Sequence, residues 1–538
     1  MSKMNTQISR RLILKGLAGA AALSQVGFSF TQNAAAASVP AKGGVMTILP
    51  GWEPPMLVSL SSPSSLPLSG KVTEGLLQFD LEMKPQAQLA TEWTVSDDTL
   101  TYTFKLRQGV KWHDGADFTA ADVIFSLGTL KKSHPRGRTT FAHVESMEAP
   151  DDHTVVLKLA KPTLFLLTAL SAAESPIVPK HIYDGSDPAT NPANIAPIGT
   201  GPFVFKEWVR GSHVVYERNP NYWDAGKPYL DGIVARFIPD QAARSVGFET
   251  GELDAGFRTP VALNDVERLE DITTLAFEAN GYQYSPPNNV CLEFNLDVEK
   301  FKDIRVRQAI AHTINRDAIC KIVFFGKAVP SHSPVVPGLK AFHNSKPSPY
   351  PVDIDKANAL LDEAGFPRGA DGKRFAVTLD YPSEDTTRRL AEYMRATLSR
   401  IGIEVTARGQ DLGSIAKRVY TDRDFEMQLA SLSPLFDPQV GVQRTYWSKN
   451  FIKGVPYSNA THYANPEVDA LLEGAAVEAS PEKRIEMWMK IQDLVMHDIP
   501  TINLVMPVWE TIHTTRSHGM ADTASGFEGT FASAYIAA

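Results

Sequence analysis

The sequence predicts a mixed protein, α/β or α+β, folded into two or three lobes. Three observations carry the prediction. A chain of 538 residues is too long for one ordinary core. Segments with the period-2 alternation of strands and segments with helical spacing mix throughout the chain. No solenoid repeat is visible, and 43% hydrophobic with 21% charged residues is ordinary globular composition.

Residues 1–37 read as an export signal. Arg10, Arg11 and Lys15 precede an apolar run, Gly16 to Phe30, that is too short and too rich in Ala and Gly for a membrane span. Small residues at Ala34 to Ala37 suit a cut after Ala37, and no Cys nearby offers lipid attachment. The arginine pair resembles a twin-arginine signal, which exports a folded protein, with Ile13 where that motif usually has Phe. An ordinary secretion signal that carries Arg-Arg is the other reading. Removing these residues, with four basic and no acidic side chains, takes the net charge from -8 to -12. Such an acidic chain is a poor partner for nucleic acid and suits the periplasm.

Further along, Leu100, Tyr102, Phe104 and Leu106 alternate with polar residues, predicting a half-buried strand, and Thr119 is placed to cap a helix starting at Ala120. Asp303 heads a segment through Ile304, Ile310 and Ile314. Asp353 heads Ile354 to Ala364, with Leu360 and Leu361 inward and Gly365 as the stop. After Ser480, the run Pro481 to Met496 carries Ile485, Trp488, Met489, Gln492 and Val495 on a face assigned to the core. Cys291 sits in a strand-like VCLEFNL and Cys320 near a helix end. An oxidising compartment would permit a bridge, but both contexts favour buried thiols.

Several short motifs recur in a fixed order: Val72-Thr73-Glu74-Gly75-Leu76-Leu77, Gly199-Thr200-Gly201-Pro202-Phe203, Asn219-Pro220-Asn221-Tyr222-Trp223, Gly226-Lys227-Pro228-Tyr229, Val306-Arg307-Gln308-Ala309-Ile310 and Asn465-Pro466-Glu467-Val468-Asp469. Each has a plain scaffold reading as turn or core. Together with Trp93 to Leu127, they resemble the large solute-binding proteins of bacterial ABC importers, the family of dipeptide-, oligopeptide- and nickel-binding proteins. The resemblance implies a two-lobed α/β periplasmic binding protein fold with a hinge. Lobe I would span 38–281, with an inserted subdomain at about 71–188, lobe II 282–500, and a return segment 501–538 would cross back to lobe I. It implies a monomer that captures a short peptide in the cleft and hands it to two membrane permease subunits driven by separate ATPase subunits. No cofactor is implied. The same role for an opine, an oligosaccharide, an amino-acid conjugate or chelated nickel is the alternative.

A peptide is a zwitterion, so its site needs a carboxylate for the ammonium group and a cation for the terminal carboxylate. Peptide binders of the family commonly show G-W-x-x-D-Y where this chain has Ser431 to Gln439; that Asp holds the peptide amine. Asp437 is the nearest acidic residue, displaced and without the Trp. It also reads as the start of an Asp-Pro turn, and both readings stay open. The amine-holding reading predicts that Asp437→Asn weakens an amine-bearing ligand about tenfold or more and barely changes stability. Phe436 adjoins it. Arg444 and Trp447 could supply a cation and an aromatic wall, although Arg444 suits a lobe-internal ion pair equally. Trp52, Glu53, Tyr282, Tyr284 and Asn289 fall in stretches that resemble cleft-lining loops, and Trp509 in the returning segment. Aromatic residues in such loops also serve as anchors to a core.

An exported hydrolase is the competing class, and a chaperone-like binder a third. The chain shows no G-x-S-x-G elbow, no H-E-x-x-H and no phosphate loop, since Gly369-x-x-Gly372-Lys373 lacks the spacing.

Overall fold

The alternation at 100–106 becomes strand Thr101–Leu106, in which Tyr102, Phe104 and Leu106 are buried. The computed structural model describes residues 40, 42–61, 66–134 and 136–537, so the expected export signal at 1–37 lies outside the described residues. Strand Thr101–Leu106 is central in a four-stranded antiparallel sheet with Ala90–Val95, Thr154–Leu159 and Val144–Asp151. Helix Ala120–Ser133 covers that sheet. It begins as expected: Thr119 N and Oγ1 both donate to Asp122 Oδ2, at 2.9 and 3.3 Å.

Two larger sheets form the lobes. The first has seven strands, in the order Leu275–Glu278, Thr511–Thr514, Ala255–Gly256, Val45–Leu49, Gly232–Arg236, His213–Arg218, Phe203–Val209. Val45–Leu49 runs parallel to Gly232–Arg236 with Val45 opposite Gly232. The second has six strands, in the order Ala328–Pro330, Thr501–Pro507, Asn289–Phe294, Met427–Leu432, Phe375–Pro382, Ile403–Gln410. Its helices start where the acidic and hydroxyl caps predict. Asp303 accepts from Arg305 N at 2.9 Å and Asp353 from Lys356 N at 2.8 Å, while Gly365 stops its helix at φ +86°.

Two expectations shift. Strand Thr501–Pro507, placed in the return segment, pairs with Asn289–Phe294 in the six-stranded sheet; the chain joins the seven-stranded sheet only at Thr511. Likewise, Tyr282 and Tyr284, placed at the start of lobe II, pack into the cores of lobe I. The long helix runs Pro481–Asp498, and its buried face is Arg484, Trp488, Ile491, Gln492 and Val495. Ile485 and Met489 are only partly covered. Arg484 joins the buried face with its charge paired inside.

Residues of the first three motifs meet in one buried knot. Glu74 accepts from Thr200 Oγ1 at 2.9 Å, Tyr222 Oη at 2.8 Å and Trp223 Nε1 at 2.9 Å. A Cβ on Gly199 would lie 1.9 Å from the Val72 carbonyl oxygen, so only glycine permits that approach. Burial pushes the Glu74 carboxyl up to about 7 against the pull of Trp223, Tyr222 and Thr200. The motifs are scaffold, as their turn-and-core reading predicts.

Candidate functional site

The lobes touch along the segment 434–441. Leu435, Phe436 and Val440, from the six-stranded side, belong to the same hydrophobic core as Phe79, Phe165 and Tyr284 of the first lobe. Tyr284 and Phe436 stack with centroids 5.1 Å apart, and Tyr284 Oη donates to Thr168 O at 2.7 Å. The segment is tightly wound. Leu435 sits at φ +54°, and a Cβ at Gly441 would come within 2.0 Å of the Pro434 carbonyl oxygen.

Asp437 stands at the start of the turn. It caps helix Pro438–Gly441, accepting from Gln439 N at 2.8 Å. Its carboxylate also receives Arg484 Nη1 at 2.9 Å and Nη2 at 2.6 Å, both side chains being buried. Arg484 Nε donates to Ala475 O at 3.0 Å, and its guanidinium lies over Phe165 of the first lobe, 5.7 Å from the ring centroid. The expected amine holder is thus engaged in a bidentate pair. The pair bears against the expectation that replacing Asp437 leaves stability intact.

Beside this segment opens a chamber of about 630 Å³, within the size range of small-molecule sites. The first lobe contributes Arg136, Arg138, His143, Lys161 and Phe165. Gln439, Arg444, Trp447, Tyr457 and Glu473 face them from the second. Another cavity, of about 130 Å³, is lined by first-lobe residues alone, so its occupancy could not draw the lobes together.

Arg444 lies 5.9 Å from the centre of the Tyr457 ring. Burial first, and the Arg136 charge second, hold its guanidinium below the ordinary value. Arg136 Nη2 lies 2.6 Å from Glu174 Oε1; burial pushes that carboxyl up to about 7. Burial, with Lys161 next, lowers the His143 imidazole. Trp447 Nε1 donates to Glu473 Oε1 at 3.0 Å.

Of the residues expected at the site, Arg444 and Trp447 line the chamber, and Phe436 with Tyr284 forms the contact beside it. The others make their contacts away from the chamber. Glu53 accepts from Trp208 Nε1 and Gly211 N, both at 3.0 Å. Tyr282 Oη accepts from Arg258 N at 2.9 Å and packs edge-on to Trp509, while Arg258 covers the Trp509 ring at 4.0 Å. Trp52 tilts against Phe257, 5.9 Å between centroids. Asn289 Nδ2 donates to Ser333 O and Asn503 Oδ1, at 2.9 and 2.8 Å. None of these five is among the chamber's lining residues. The basic side chains of Arg136, Arg138 and Lys161 were not anticipated. The only sequence signal was a run of Lys and Arg from Lys131 to Arg138, which reads equally as a solvated turn.

The cysteines expected to be thiols are free and buried. Among the described residues, no group of three or more His, Cys, Asp or Glu side chains is arranged to hold a metal ion. None of the helices there is long and apolar enough to cross a membrane.

Comparison with known proteins gives a consistent result. A family model described as bacterial extracellular solute-binding proteins, family 5 Middle, matches residues 84–453. The glutathione-binding protein GsiB of Escherichia coli O1:K1 / APEC is 30% identical over 480 residues, 85% of this chain and 88% of that one. The ABC transporter-associated periplasmic binding protein DppA from Helicobacter pylori, solved with the peptide STSA, is 27% identical, with a TM-score of 0.78 over 93% of this chain and 99% of that one. The binding protein AgaA of A. tumefacien R10, solved with agropinic acid, is 25% identical, with a TM-score of 0.73 over 92% and 99%.

Proposed function

The chain belongs to the bacterial extracellular solute-binding proteins, family 5, the solute-binding components of ABC importers; from that premise we propose that it captures a short peptide in the chamber between its lobes. The observation that carries this reading is the chamber itself. It is wide enough for a small organic ligand, and residues of both lobes line it, so a ligand that touches both walls stabilises the closed arrangement relative to the open one. The permease subunits of the importer then read closure as occupancy.

Relatives of this family bind solutes for import rather than transform them. The chamber is consistent with that role. Export through a twin-arginine signal, cleavage after Ala37, residence in the periplasm and a monomeric state complete the proposal. Calorimetric titration with di- to pentapeptides tests it: saturable binding without product formation supports capture. Binding of a non-peptide solute alone would move the ligand to the opine or conjugate class, and peptide turnover would favour the hydrolase.

A further inference from the structure

The chamber's charge is one-sided. Four permanent cations line it, Arg136, Arg138 and Lys161 on the first lobe and Arg444 on the second, against one carboxylate, Glu473. Glu473 is already occupied, accepting from Trp447 Nε1 at 3.0 Å and from Lys449 Nζ at 2.5 Å. Arg136 has a carboxylate partner, Glu174, which is not part of the lining. Arg138 Nε donates to Lys132 O at 3.1 Å. For Arg138, Lys161 and Arg444 the described residues provide no ion pair within 4 Å; the carboxyl that acts on Arg444 from a distance is buried Glu293, itself pushed up to about 7.

Like charges gathered in a partly desolvated chamber repel, and the Arg136 charge already disfavours that of Arg444. An anion between them would reverse the balance. A second observation gives the ligand another feature. Gln439 is 2% exposed, and its Oε1 has no hydrogen-bond donor, while its Nε2 donates to Leu472 O at 3.3 Å. Gln439 lines the chamber, so a rotation of its side chain would offer this buried acceptor to a ligand, and a buried acceptor requires a donor.

Resting on the importer reading above, we propose that the chamber selects ligands with a net negative charge, at least two carboxylates and an N–H group. One carboxylate sits against Arg444, another against Arg138 and Lys161, and the N–H faces Gln439 Oε1. Acidic peptides and carboxylate-bearing amino-acid conjugates have this pattern; tri-alanine and basic peptides do not. Because the cations belong to opposite lobes, an anionic ligand also removes the repulsion that resists closure.

The experiment is calorimetric titration of the purified protein with a matched panel: Glu-Ala-Glu, Ala-Ala-Ala, Lys-Ala-Lys, and N-acetylglutamate with its dimethyl ester. The expected result is binding of the acidic members about tenfold or more tighter than their neutral or basic counterparts, the scale of one charge-assisted contact. Arg444→Gln and, separately, the surface substitution Lys161→Gln should each reduce that preference with melting curves unchanged. If N-acetylglutamate binds and no peptide does, the charge selection stands and the peptide reading falls. Equal binding of acid and ester, a preference for Lys-Ala-Lys, or no binding by any member would overturn the inference while leaving the family assignment intact.

Discussion

Arg484 reaches Asp437 across 47 residues of sequence with both terminal nitrogens, at 2.9 and 2.6 Å, and both side chains are buried. The pair fastens the long helix Pro481–Asp498 to the segment that touches the first lobe. Removing one partner from a buried pair leaves an uncompensated charge and costs about 3–5 kcal/mol. Asp437→Asn is therefore expected to lower the thermal midpoint clearly, and Asp437→Asn with Arg484→Met to recover part of the loss. A midpoint unchanged by Asp437→Asn would show that the carboxylate is not structurally engaged.

Glu74 gives the fold a pH signature. Its carboxyl is raised from 4.5 to about 7 in the fold, so the folded state holds a proton that the unfolded state has lost between those values. Its stabilising increment is complete below pH 4.5 and disappears as pH rises through about 7, with a slope of about 1.4 kcal/mol per pH unit. Glu174 and Glu293 act in the same direction. Buried His134, lowered to about 3, acts oppositely below its ordinary 6.5, so the comparison must be made within one site. Glu74→Gln should flatten the stability profile between pH 5 and 7 relative to the parent protein. Parallel profiles would place the Glu74 carboxyl near its ordinary value.

Phe436 and Tyr284 couple the lobes through a ring contact worth about 0.5–1.5 kcal/mol beyond its buried area. Phe436→Ala should favour the open arrangement, seen as a larger radius of gyration in small-angle scattering and as weaker ligand binding. An unchanged radius and affinity would separate this contact from closure.

Cys291 and Cys320 are free and buried, and burial raises both thiols. Ellman's reagent should find almost no reactive thiol in the native protein and two after unfolding in denaturant. Finding none after unfolding would indicate a bridge.

Local order was legible in the sequence where the forces are local. The strand at 101–106 and the caps at Thr119, Asp303, Asp353 and Ser480 depend on neighbours a few residues away, and the structure places them as expected. Residues of the first three motifs were visible one by one, but their convergence on Glu74 joins side chains 126 to 149 residues apart, beyond any local pattern. Arg444 and Trp447, read from the sequence as a cation and an aromatic wall, both line the chamber. Asp437 was ambiguous because its partner lies in a helix whose spacing suggested an apolar face. Arg136, Arg138 and Lys161 look like surface charge until the first lobe brings them opposite Arg444.

Native mass spectrometry of the protein, isolated from its producing cells without refolding, tests ligand capture most directly. Ejected ligands would be sequenced by tandem mass spectrometry. The structure predicts a one-to-one complex that releases short peptides or peptide conjugates rich in carboxylates. Protein that is empty as isolated and remains empty after incubation with a mixed peptide and amino-acid conjugate library, or that converts such compounds to products, would contradict the account.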